Sequence, residues 1–231
     1  MFPGGGGTAR RGRDVTRPPY RAGARKGPRY PSGVEIPSYD EIRALHRKHA
    51  PSDEAFALVF THCEIVAAVA DQLLARSGAD VDADLVRAGC LLHDIGVYRL
   101  YDAAGRIDGS AYVTHGLLGH RLLAEEGLPE ALCRFCSCHT GVGITREDVL
   151  AQGLPIPPAD YVPVTPEERM VMYADKFHSK STPPRFVSPD SFEVRIGRFG
   201  PEKVTAFQAL RRHYGDPELD GLAAAYGHAV T

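Results

Sequence analysis

The sequence predicts an all-α fold, a single globular helical bundle behind a disordered N-terminal tail, and three observations predict it. From residue 38 onward, apolar residues recur at steps of three and four, with capping residues ahead of the runs. No apolar–polar alternation of convincing strand length appears anywhere. Residues 1–33 hold eight Lys or Arg against the single acid Asp14, a GGGG run at 4–7 and several prolines. A segment so poor in apolar side chains cannot bury enough surface to offset its chain entropy. The predicted organisation is a basic Gly/Pro/Arg-rich tail over 1–35 and a helical domain over 36–231, with a motif core at 55–180 and C-terminal helices at 190–231.

The helices follow in order. Ser38 caps SYDEIRALHRKHA, with Asp40 and Glu41 in its first turn. Ser52 opens a long helix that Gly78 stops, and DADLVRAGCLLHDIG predicts a third over about 82–95. After the polar loop DAAGRIDGS, helices are expected at about 113–126 and 129–139, then a short one after Thr145. Thr165-Pro166-Glu167-Glu168 starts a helix reaching roughly residue 180, and one or two more follow Pro201.

With 231 residues, 43% of them hydrophobic, the chain is long enough for one full core. No window is read as apolar enough to span a bilayer. The net charge of -2 excludes a nucleic-acid signature for the molecule as a whole. It divides into +7 for residues 1–33 and -9 for the rest, so only the tail offers weak contact with nucleic acid or acidic partners. Arg10-Arg11 lacks the apolar segment that would make it an export signal. Cys63, Cys90, Cys133, Cys136 and Cys138 form an odd set that suits reduced thiols in a cytoplasm. CRFCSCH at 133–139 has one CxxC and no second, a poor basis for a closed zinc site.

The histidines carry the chemistry. Val59, His62, Val66, Val69 and Leu73 share one helical stripe; Val86, Gly89 and His93 share another. His115 aligns with Leu118 and Leu122, His139 continues Leu132 and Phe135, and Asp175 lies one step from Met172. A lone inward histidine is an ordinary core residue. Five helices each aiming a His or Asp inward need a shared partner, and a metal ion supplies one.

His62, His93-Asp94, His115, His139 and Asp175 in that order, with HDIG at 93–96, resemble the HD-domain superfamily of metal-dependent phosphohydrolases. THG at 114–116, CHTGVGIT at 138–145 and MYADK at 172–176 look like small, mostly uncharacterised HDIG proteins of bacteria and archaea. The resemblance covers roughly residues 40–180 and implies an HD-type bundle. It implies a first metal on His62, His93, Asp94 and Asp175. Asp94 would bridge to a second, completed by His115 and His139. Four imidazoles and two carboxylates favour iron or manganese, with cobalt, nickel or zinc also compatible. The activity implied is hydrolysis of a small phosphorylated substrate, a nucleotide or related metabolite, with Asp94 and Lys176 catalytic. Lys176, Arg146 and Arg99 are the expected substrate-binding cations, while His46, His49 and His178 are expected to be solvated. Two departures stand out: Val97 occupies the place after HDIG where many relatives carry Lys or Arg, and no GYP motif is present. The same ligand set also serves mixed-valent di-iron oxygenases that cleave C–C or C–P bonds, and degenerate members act as non-catalytic binding modules.

Overall fold

Six of the ten α-helices among the described residues begin at a side chain that accepts from their free N–H groups. The computed structural model describes residues 35–231, so the tail predicted over 1–35 lies almost wholly outside the described residues. Helix α1 (Tyr39–His49) starts at a capping box in which Ser38 and Glu41 satisfy one another's backbone N–H groups. Helix α2 (Asp53–Ser77) is capped by Ser52 and ended by Gly78 in the left-handed region at φ 60°. Asp82 caps α3 (Ala83–Leu92). Then come α4 (His115–Glu125), α5 (Glu130–Ser137), α6 (Arg146–Gln152) and α7 (Pro166–Ala174), with Thr145 and Thr165 capping the last two. The C-terminal region resolves into α8 (Pro189–Ile196), α9 (Pro201–Tyr214) and α10 (Leu219–Tyr226).

Helix α2 is the centre of the core. Its stripe of Val59, His62, Val66, Val69 and Leu73 is at most 1% exposed. By length and composition α2 is apolar enough to cross a membrane, against the expectation that no segment is. Here its apolar surface packs against α1, α3, α7 and α9.

Three departures from the sequence reading shape the site. Helix α3 ends at Leu92 rather than near 95, and the chain turns through His93 and Asp94 into a 3-10 helix at Ile95–Leu100. The helix begun at Pro166 ends at Ala174 rather than near 180, passing through a 3-10 turn (Asp175–Phe177) into a strand. Where no strand was expected there are three among the described residues, of two residues each: β1 (His178–Ser179), β2 (Arg185–Phe186) and β3 (Ala229–Val230). Strand β2 pairs antiparallel with β1 and parallel with β3. Two residues are too few to produce an alternation that a sequence can display.

Gly96 does more than break a helix. A Cβ there would lie 2.0 Å from the His115 carbonyl oxygen and 2.3 Å from the Gly119 nitrogen. One on Gly116 would lie 2.7 Å from the Cys136 carbonyl oxygen. The backbones of the 3-10 turn, α4 and α5 therefore touch, because glycines leave nothing between them. That contact draws Asp94, His115 and His139 together.

Candidate metal centre

Six side chains from five segments converge. His62 comes from mid-α2, His93 and Asp94 from the turn after α3, and His115 from the first residue of α4. His139 lies just past α5, and Asp175 just past α7. They form two groups, His62, His93, Asp94 and Asp175, and Asp94, His115 and His139, each with ligand atoms within 4.8 Å of one another. Asp94 belongs to both. His62 Nε2 lies 3.1 Å from Asp94 Oδ2 and 3.1 Å from Asp175 Oδ1. Asp94 Oδ1 lies 3.3 Å from His115 Nε2 and 3.5 Å from His139 Nε2.

Hydrogen bonding sets which nitrogens are bare. Nδ1 of His93 meets the Cys90 carbonyl at 2.7 Å, that of His115 the Tyr112 carbonyl at 2.5 Å, and that of His139 the Phe135 carbonyl at 3.1 Å. A carbonyl only accepts, so each Nδ1 carries the proton and each neutral ring turns a lone pair on Nε2 inward. The Nε2 atoms face each other: those of His115 and His139 are 2.9 Å apart, and that of His93 is 3.2 Å from His62 Nε2. Asp94 Oδ1 is buried and receives no hydrogen bond among the described residues. Acceptors in such proximity need a cation between them. Imidazoles and carboxylates without thiolate fit a divalent transition metal.

The electrostatics agree. Burial opposes ionisation of Asp94, yet Lys180 and His93 outweigh it and hold the carboxyl well below its usual range. Asp175 is lowered likewise, the adjacent Lys176 ammonium foremost overcoming burial. Burial lowers His115 to about 4 and lowers His139 as well. Burial works in the same sense on His93, but the Asp94 carboxylate foremost reverses it and raises that ring well above 6.5.

Beyond the six, the predicted cations take different places. Lys176 is buried and donates to Asp175 Oδ2 at 2.7 Å and to the His139 carbonyl at 2.8 Å, bracing two candidate ligand residues. Arg99 is exposed and paired with Glu125 at 3.3 Å. Arg146 is exposed at the start of α6, its backbone N–H donating to Asp160. Neither arginine belongs to the cluster. Lys180, which the sequence reading missed, forms an ion pair with Asp94. No motif marks it; it lies five residues past Asp175, beyond a turn that interrupts helical periodicity.

Two histidines expected in solvent are buried instead. His46 is 0% exposed, held by the Leu91 carbonyl at 2.8 Å and the Tyr98 hydroxyl at 2.9 Å. His178 packs against His62 with their Nδ1 atoms 2.9 Å apart, and its Nε2 meets His228 Nδ1 at 3.0 Å. His49 is paired with Glu126. All five cysteines are free and buried, and burial pushes the Cys133 thiol up to about 11.

The HD domain sequence profile matches residues 59–180, more than half of the chain and all six clustered residues. The chain belongs to the HD domain family. An uncharacterized protein of Methanocaldococcus jannaschii, MJ0778, is 37% identical over 148 residues, 62% of this chain and 80% of that one. The tRNA (cytidine(56)-2'-O)-methyltransferases of Picrophilus torridus and Thermoplasma volcanium are 35% and 33% identical over 62% and 61% of this chain. Those matches span only 37% and 36% of the methyltransferases' own lengths. Among solved structures, the HD domain of the L. monocytogenes phosphodiesterase PgpH is similar at 16% identity and a TM-score of 0.45, covering 73% of this chain and 94% of that one. Its complex with cyclic-di-AMP gives 15% identity, a TM-score of 0.47, and coverage of 83% and 99%.

Proposed function

We propose that this protein is a metal-dependent hydrolase of a small phosphate ester, working with two divalent metal ions, iron or manganese. The observation that carries the reading is Asp94, a buried carboxylate shared between two groups of inward-facing imidazoles. His62, His93, Asp94 and Asp175 would hold one ion, and Asp94, His115 and His139 the other. Metal ions so held supply Lewis acidity, lowering the pKa of water and neutralising charge on phosphoryl oxygens. The protein's part is to keep the ligands neutral or anionic and correctly turned. The carbonyls behind His93, His115 and His139 fix the tautomer. Lys176 holds the Asp175 carboxylate and the chain at His139 in place.

The test is an assay of purified protein supplemented with iron, manganese, cobalt or nickel against phosphomonoesters, phosphodiesters and nucleotides. Release of phosphate or of a phosphorylated product from at least one class is the expected result. Hydrolysis of none, by protein shown to hold metal, would sink this reading.

A further inference from the structure

The structure has a cavity of about 270 Å³ lined by Leu58, Val97, Ile107, Tyr112, Ser179, Lys180 and Ser181. It adjoins the candidate metal centre on two sides. Lys180 pairs with Asp94, and the Tyr112 ring packs 4.8 Å from the His115 ring while its carbonyl accepts from His115. We propose that this cavity is the substrate pocket, and that it takes a phosphomonoester with one compact, partly apolar organic group, its phosphoryl end held by Lys180. The proposal rests on the metal-dependent reading above and names the ligand of that same site.

Charge balance carries the argument. Lys180 has 13% of its side chain exposed, and its ion-pair partner is Asp94. Asp175 already has its own ammonium in Lys176. Each carboxylate thus has one ammonium group against it. Metal ions claim the Asp94 oxygens, and a largely buried ammonium left without an anion is costly. An anion entering from the cavity restores the pair, and a phosphate supplies oxygens for both metal and Lys180.

Val97 occupies the position where a cation would follow HDIG. It lines the same cavity as Lys180, so the ammonium enters from the β1 side and leaves the Val97 wall apolar. Leu58, Ile107 and Tyr112 extend that wall, while Ser179 and Ser181 offer hydroxyls. The volume lies just below the usual range for ligand pockets, which run from about 300 Å³ upward. It suits a single ring and not a cyclic dinucleotide.

Binding tests this without turnover, and so independently of whether hydrolysis is ever seen. Metal-loaded wild type, Lys180→Met, Lys180→Arg and Leu58→Trp are titrated calorimetrically with inorganic phosphate and with phenylphosphonate, and their metal content is measured. Lys180→Met should keep its metal and bind both probes ten- to a hundredfold more weakly, as befits loss of a charge-assisted hydrogen bond. Lys180→Arg should retain most of the affinity. Leu58→Trp should bind phosphate as wild type does but lose phenylphosphonate at least tenfold. Wild type that binds neither probe overturns the proposal, as does Lys180→Met binding phosphate normally. Loss of metal from Lys180→Met would assign Lys180 to the metal centre instead. Phenylphosphonate bound equally well by Leu58→Trp would place the organic group elsewhere.

Discussion

Gly96→Ala adds one methyl group to the molecule and should cost the metal centre one of its two ions. The added carbon would lie 2.0 Å from the His115 carbonyl oxygen and 2.3 Å from the Gly119 nitrogen. Non-bonded carbon and oxygen rest at about 3.3 Å, so the 3-10 turn and α4 must separate by roughly 1 Å. Both obstacles are backbone and neither can rotate away. Overpacking commonly costs about 1–3 kcal/mol, and a clash with backbone belongs at the top of that range. For a domain of this size, about 3 kcal/mol corresponds to a fall in Tm of roughly 6–12 °C. The same displacement carries His115 away from Asp94, now 3.3 Å apart. Metal coordination tolerates about 0.2 Å, so the ion shared by Asp94, His115 and His139 should be lost while the other group still binds. Gly78→Ala is the control: its φ of 60° costs about 1–2 kcal/mol, nothing lies within 4 Å, and metal content should not change. Thermal melts and elemental analysis of the three proteins suffice. Gly96→Ala melting within 2 °C of wild type, with its full metal, would refute the close-approach account.

Removing Asp94 should act on both groups at once: Asp94→Ala is expected to lose essentially all metal and activity, and His115→Ala to keep roughly one ion per chain. Stability should fall in the same order, and an Asp94→Ala protein with wild-type metal and melting temperature would contradict the shared role. His46 gives a pH dependence. Burial lowers its pKa to about 3, against about 6.5 when unfolded, so the unfolded chain binds more protons between those values. Stability is then full above pH 6.5 and lost as pH falls toward 3, about 2 kcal/mol having gone by pH 5. Urea denaturation at pH 7, 6 and 5 should show that loss in wild type and a smaller one in His46→Gln; equal slopes would remove His46 as the cause.

How much of this was legible in the sequence depended on whether a residue's role is set by its neighbours in the chain. The inward faces of His62 and His115 could be read because leucines and valines three and four positions away mark the buried stripe. Caps at Ser38, Ser52, Thr145 and Thr165 were legible for the same reason, the bond closing within three residues. Lys180 was not, because it follows a 3-10 turn and a two-residue strand and meets Asp94 across 86 positions. His178 looked like a surface residue until His62, 116 positions away, was found against it. Gly96 could be read as a helix breaker, but the backbone it makes room for belongs to residues 115 and 119. Lys176 was read as a substrate-binding cation beside Asp175, but the carbonyl that its ammonium meets belongs to His139, 37 positions away.

The three imidazoles of His62, His178 and His228 form a file whose sense is fixed at one end. If Nε2 of His62 faces a metal, its Nδ1 must hold the hydrogen and give it to His178 Nδ1. His178 then keeps its hydrogen on Nε2 and directs it at His228 Nδ1, which leaves Nε2 of His228 protonated. His228 is only half-buried, on the loop leading into β3. The tautomer of a ring at the molecular edge is thereby coupled, two hydrogen bonds away, to what occupies the interior.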